Sequence, residues 1–175
     1  MAQNFNQSTR EMIRDLKSGM HVETGILLGT AYLKESQVEL FTVYNRIAVL
    51  GLWFEVTTLW AGATLLKFTW TSSEPVITVI DISINSSSMN TFVAGSRAFL
   101  IGGAVGTATS VEESAGVTMN LTYPMILGNA PTIAGVTSVG TIGQDTTVAA
   151  TGLSAGKFGL LYAPIDHDAS AVALL

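Results

Sequence analysis

The chain reads as an all-β protein, and three features of the sequence predict it. From Val22 onward Val, Ile, Thr, Phe, Tyr and Trp dominate; they come in short runs bounded by Gly, Pro, Ser or Asn; and one run, Leu65-Leu66-Lys67-Phe68-Thr69-Trp70-Thr71, alternates strictly. β-branched and aromatic residues suit a pleated, half-buried surface, and turn residues at this spacing divide antiparallel strands rather than βαβ units.

The first twenty residues stand apart. Arg10, Arg14 and Lys17, three of the eight basic residues, lie there beside Glu11 and Asp15. Ser8 and Glu11 match the S-x-x-E capping box, Met12, Ile13, Leu16 and Met20 recur at helical spacing, and Gly19 is placed to stop the helix. The pattern predicts a short helix over residues 9–18 within an N-terminal arm of residues 1–21. Its apolar stripe either packs on its own domain or lies across a neighbouring subunit.

Residues 22–175 form the predicted β-domain, with strands at 25–33, 38–44, 46–58, 64–71, 76–84, 91–94, 98–101, 139–142, 146–150, 157–164 and 171–174. In the alternating run Leu66, Phe68 and Trp70 share one face and Lys67, Thr69 and Thr71 the other, so that strand has a wet side. By contrast, residues 46–54 are apolar at nearly every position. Such a strand is covered on both faces, by the core on one and by an arm, loop or partner chain on the other. Asn45 and Gly62 supply turn chemistry around it, while Glu55 must face solvent or find a cation. Residues 102–135 show little alternation and read as a long excursion, too apolar for a solvated linker. No fixed repeat period persists, which argues against a solenoid or propeller.

Composition narrows the function. The 175 residues are 48% hydrophobic and 12% charged, with a net charge of -5, and mean hydropathy is +0.45. So little charge cannot keep a large lone exterior wet, and a homo-oligomer is expected. Without cysteine there is no disulfide, thiolate nucleophile or Cys-based zinc site. The polar start lacks the basic and apolar regions of a secretory signal. The most apolar stretch, residues 47–68, is broken by Glu55 and Lys67 and falls short of the roughly 18–20 apolar residues of a spanning helix, so no membrane partner is expected. Nor is nucleic acid, since Lys157 is the only basic residue after Arg97.

The catalytic inventory is thin. His21 and His167 are the only histidines. Asp166-His167-Asp168 invites a metal or acid–base reading, but neighbours on a strand diverge, and Pro164-Ile165-Asp166 fits a turn between the last two strands. His21 reads as a junction residue. The sequence has no G-x-S-x-G, and Gly102-Gly103-Ala104-Val105-Gly106 matches no phosphate-binding loop. Glu112, Glu113 and Asp145 lack the ladder spacing of a calcium site. Trp53, Trp60 and Trp70 fit core or interface better than a sugar platform. No catalytic residue, cofactor or metal is assigned.

The stretch from Glu39-Leu40-Phe41-Thr42-Val43 through Arg46-Ile47-Ala48-Val49-Leu50-Gly51-Leu52 and Glu55-Val56-Thr57-Thr58 to Gly62-Ala63-Thr64-Leu65-Leu66-Lys67-Phe68 resembles small β-rich structural proteins of tailed bacteriophages. So does Gly156-Lys157-Phe158-Gly159-Leu160-Leu161-Tyr162-Ala163-Pro164-Ile165-Asp166. The resemblance covers less than a third of the chain and carries no invariant functional residue. It implies a virion protein at the capsid surface, a decoration (cement) protein with a jelly-roll-like antiparallel sandwich, commonly trimeric, whose partner is the major capsid protein. Tail, baseplate or head–tail joining components share this composition, and a carbohydrate- or receptor-binding module is the alternative from another class. Decoration is binding without turnover, so it needs apolar contact area rather than a poised nucleophile. The candidate subunit or capsid contacts are Arg10, Ile13 and Leu16 in the arm, Ile47, Val49, Leu52 and Phe54 in the two-sided strand, and Tyr123 and Ile126 in the excursion.

Overall fold

The computed structural model of the chain describes residues 19–28, 37–59, 65–73, 76–84, 92–100, 107–108, 110–112, 125–129, 138–146 and 154–175. Their strands are β1 (Met20–Glu23), β2 (Leu27–Leu28), β3 (Val38–Tyr44), β4 (Ile47–Thr58), β5 (Leu66–Ser73), β6 (Val76–Asp81), β7 (Ser83–Ile84), β8 (Arg97–Leu100), β9 (Thr107–Ala108), β10 (Ser110–Glu112), β11 (Met125–Leu127), β12 (Val139–Thr146), β13 (Ala155–Pro164) and β14 (Ser170–Ala173). There is no helix among the described residues; the helix expected over 9–18 lies outside them.

Two antiparallel sheets carry the fold. The first runs β1-β13-β4-β8-β10, with β2 also pairing β13 and β11 also pairing β4. The second runs β14-β3-β12-β5-β6, and β7 and β9 form a small parallel pair. A single buried cluster draws from both large sheets, with Phe54, Phe158 and Leu160 from one and Phe41, Phe68, Trp70 and Ile142 from the other, so the architecture is β-sandwich-like. Phe158 is the hinge of this core. Its ring lies 4.8 Å from that of Phe54 and meets Phe68 of the opposite sheet edge-on at 6.1 Å.

Asn45 and Arg46 carry the chain from the second sheet to the first. Asn45 takes the left-handed backbone (φ 57°) that Asn tolerates better than most residues. Its N–H donates to the Ser138 carbonyl (2.8 Å), and its Oδ1 accepts from the Ser138 N–H (3.1 Å). The expected turn at Asn45 is therefore present and tied to the start of β12.

The apolar run in β4 has a cause the sequence reading did not identify. Val49 opposes Tyr162 and Gly51 opposes Leu161, leaving Leu50 as an extra residue, a bulge. Strand alternation reverses there, so Ile47 and Val49 before the bulge and Leu52, Phe54 and Val56 after it all face the core. Ala48 and Leu50 face the other way and join Ala163 in a second cluster packed by Leu161 and Ile165. Both faces of β4 are thus covered within the chain at this end.

Several expected elements are corrected. Residues 92–96 make no strand; Ala94 and Gly95 form a turn. The strands expected at 139–142 and 146–150 are joined, because β12 runs through Gly143 and residues 147–150 lie outside the described set. Gly143 is a close approach rather than a break, since a Cβ there would stand 2.8 Å from Thr69 Oγ1 and 2.9 Å from the Val38 carbonyl. The strand expected at 76–84 is split at Ile82 into β6 and β7. The excursion contributes β9, β10 and β11, and β11 pairs β4 through Met125↔Val49. β1 begins at Met20, inside the expected arm. Of the strand expected at 25–33, Leu27–Leu28 is strand, Gly25 and Ile26 are not, and residues 29–33 lie outside the described set.

Candidate interaction surfaces

The polar clusters singled out in the sequence do not converge. Asp166 turns to Arg46, accepting from its Nη2 at 2.6 Å, its Nε at 3.1 Å and its backbone N–H at 3.1 Å. The hydrogen bond from the Arg46 side chain is the largest cause that holds the Asp166 carboxyl below its ordinary range. His167 and Asp168 point into solvent with His167 Nδ1 2.8 Å from Asp168 Oδ1, on the turn expected between the last two strands. Asp145 pairs with Lys67 at 3.3 Å, and Asp81 accepts from the same ammonium at 3.1 Å. Burial opposes the Lys67 charge, but the two aspartates outweigh it and hold the lysine above its ordinary value. Among the described residues no three His, Asp or Glu side chains are grouped to hold a metal.

The outer face of the first sheet carries cross-strand ion pairs and one aromatic stack. Arg97 grips Glu55 through Nη2 (2.6 Å) and Nε (2.9 Å), which supplies the cation that Glu55 requires. Lys157 donates to Glu23 at 2.9 Å. Trp53 lies across Gly159, where any Cβ would strike the indole, and His21 stacks on it with ring centroids 5.1 Å apart and planes 19° apart. His21 is thus a strand residue with an aromatic partner. The second sheet has a polar outer side built on β5, where Gln37 Nε2 lies 3.2 Å from Thr71 Oγ1. Thr69, expected to be wet, is covered instead.

Exposed large apolar side chains among the described residues lie on both sheets: Met20, Ile26, Leu28, Leu59 and Val93 on or beside strands of the first, and others at the two terminal strands of the second. On β6, Val79 and Ile80 are exposed; on β14 and just beyond it, Val172 (51%), Leu174 and Leu175 are. Beside β6 a groove of about 230 Å³ opens between the sheets, lined by Trp70, Ile80, Ile82, Met125, Ile126 and Leu127. Ile126 stands at its rim, 61% exposed.

This placement sorts the candidate contacts. Ile126, one of the candidate contacts, is exposed. Ile47, Val49, Leu52 and Phe54 are corrected: their side chains are buried in the chain's own core and offer nothing to another subunit. The bulge at Leu50 explains the misreading, because it lets a core strand lose its alternation without a partner. Arg10, Ile13, Leu16 and Tyr123 lie outside the described residues. The edge residues Val79, Ile80, Val172 and Leu174 were missed; the signal available was the consecutive apolar run Val79-Ile80, which no single buried face can accommodate.

Comparison with protein families, curated proteins and solved structures finds no match.

Proposed function

We propose that the chain is a non-enzymatic structural protein of a virion, a decoration protein that binds the major capsid shell and its own copies and holds the shell together. In this reading the sandwich is jelly-roll-like and the working unit is a trimer on the capsid surface. The observation that carries it is the location of the exposed apolar side chains. Among the described residues Val79 and Ile80 lie on one terminal strand of the second sheet, Val172 on the other with Leu174 just beyond it, and Ile126 at the groove beside the first. Open edges attract further chains, and stable soluble proteins blunt them with charge, proline or cover. Large aliphatics at both edges favour burial against protein.

The test mixes purified protein with capsids stripped of surface proteins. Co-sedimentation near stoichiometry with the major capsid protein, lost in Val79→Asp/Ile126→Asp with circular dichroism unchanged, supports the reading. Free protein that stays monomeric and leaves shells bare overturns it. A carbohydrate-binding reading draws support from Trp53, whose indole lies along an outer sheet face. Sugar-dependent quenching of wild-type fluorescence that disappears in Trp53→Phe would favour it.

A further inference from the structure

We propose that His21, Trp53 and Glu23 form a proton-sensitive clasp that holds β1 to the first sheet more tightly when the His21 imidazole is charged. Among the described residues β1 ends that sheet, and little apolar contact keeps it there: Val22 packs against the core, while Met20, His21 and Glu23 are exposed. On the outer face the strand is held through two side chains. The His21 ring stacks on the Trp53 indole with centroids 5.1 Å apart and planes 19° apart, and its Nε2 stands 3.4 Å from Glu23 Oε1. The other carboxylate oxygen, Glu23 Oε2, accepts from Lys157 Nζ of β13 at 2.9 Å.

Imidazole is the side chain that ordinarily gains its proton between pH 8 and pH 5. Neutral, the ring offers the indole a stacking contact alone. Charged, it is a cation against an aromatic face and beside a carboxylate, and both interactions favour the paired arrangement of β1. The stack exists only while β1 is in place, because Trp53 belongs to β4, two strands away, and reaches His21 across Gly159, where any Cβ would strike the indole. Glu23 shares the outer face with His21 through the two-residue period of an extended strand. The other ionisable groups of the strands packed against β1 are already engaged. Lys157, the like charge, is paired with Glu23; Glu55 of β4 is held by Arg97 of β8 at 2.6 Å; Tyr162 of β13 lies in the core; and β14 has no charged residue. The clasp operates whether or not the chain joins a shell.

Tryptophan emission and amide hydrogen exchange of the purified protein at pH 8 and pH 5 test it, with exchange expressed as protection over the unfolded chain so that the intrinsic pH dependence cancels. Wild type should lose emission at pH 5, since a protonated imidazole in contact quenches an indole. Its protection at residues 20–23 should be about two- to fivefold higher than at pH 8, the range of an exposed cation–π contact. In His21→Gln, and in His21→Phe, which keeps a ring without a charge, both differences should vanish while protection at Phe158 and Phe68 matches wild type. The same pH dependence in wild type and both variants, or no change at residues 20–23 in wild type, overturns the proposal.

Discussion

The Arg46 guanidinium and the Asp166 carboxylate face each other in a two-point contact, and the Arg46 backbone N–H adds a third bond to the same carboxylate. The contact fastens the β13–β14 turn to the corner where the chain passes from one sheet to the other. Because Asp166 titrates below its ordinary value of 3.8, it binds fewer protons folded than unfolded. Its contribution is therefore complete above that value and is lost as pH falls through the lower, folded one. Urea unfolding followed between pH 6 and pH 2 should show a steeper acid loss for wild type than for Asp166→Asn, whose midpoint is already lower at pH 6. Equal acid slopes would rule out this pair as the source.

Phe158 joins the two sheets through Phe54 and Phe68. Phe158→Ala should cost roughly 3–5 kcal/mol in unfolding free energy, since it removes a fully buried ring and leaves a cavity between layers. Guanidinium titration monitored by circular dichroism measures it. A loss below that of an ordinary surface substitution would mean the sheets are held together elsewhere.

Two glycines make opposite predictions from similar crowding. At Gly140 a Cβ would meet the buried Trp70 ring and stand 2.8 Å from the Thr71 carbonyl, neither free to move. Gly140→Ala should destabilise by about 1–3 kcal/mol. At Gly159 the obstacle is Trp53, which can swing toward solvent, and replacing a strand glycine returns about 0.5–1 kcal/mol. Gly159→Ala should leave the melting midpoint nearly unchanged while shifting tryptophan emission to the red as the His21 stack opens.

Removing Leu50 altogether tests the bulge. With the extra residue gone, Val49, Gly51 and Leu52 would oppose Tyr162, Leu161 and Leu160 one for one and alternate without a break, so Leu52 and Phe54 keep the core face and the deletion should still fold. Leu50→Ala keeps the residue count and should fold with a modest loss. Comparing soluble yield and near-ultraviolet circular dichroism for the two separates spacing from side-chain volume.

Much of the strand list was legible because its signals are local. Val38–Tyr44 was read to the residue, and Leu66, Phe68 and Trp70 share the core face that their alternation predicts. Glycine misled at Gly143, where the sequence shows a potential break and the fold uses the missing Cβ for close packing. The bulge at Leu50 was hidden because it is a property of pairing between β4 and β13, more than a hundred residues apart. Consecutive apolar residues there suggested a partner, whereas the side chains named as contacts on that strand are buried in the core. Edge position was illegible for the same reason, since Val79 and Val172 become edge residues only once the strand order is fixed.

That strand order constrains any assembly built on it. Five strands alternating in direction leave β14 and β6 pointing the same way. Copies turned about a ring axis along the strands would set β6 of one beside β14 of the next with chains aligned, whereas a dyad would join β6 to β6 with chains opposed. Cross-links that discriminate between these pairings would report the point group of any oligomer built on these edges before any image is taken.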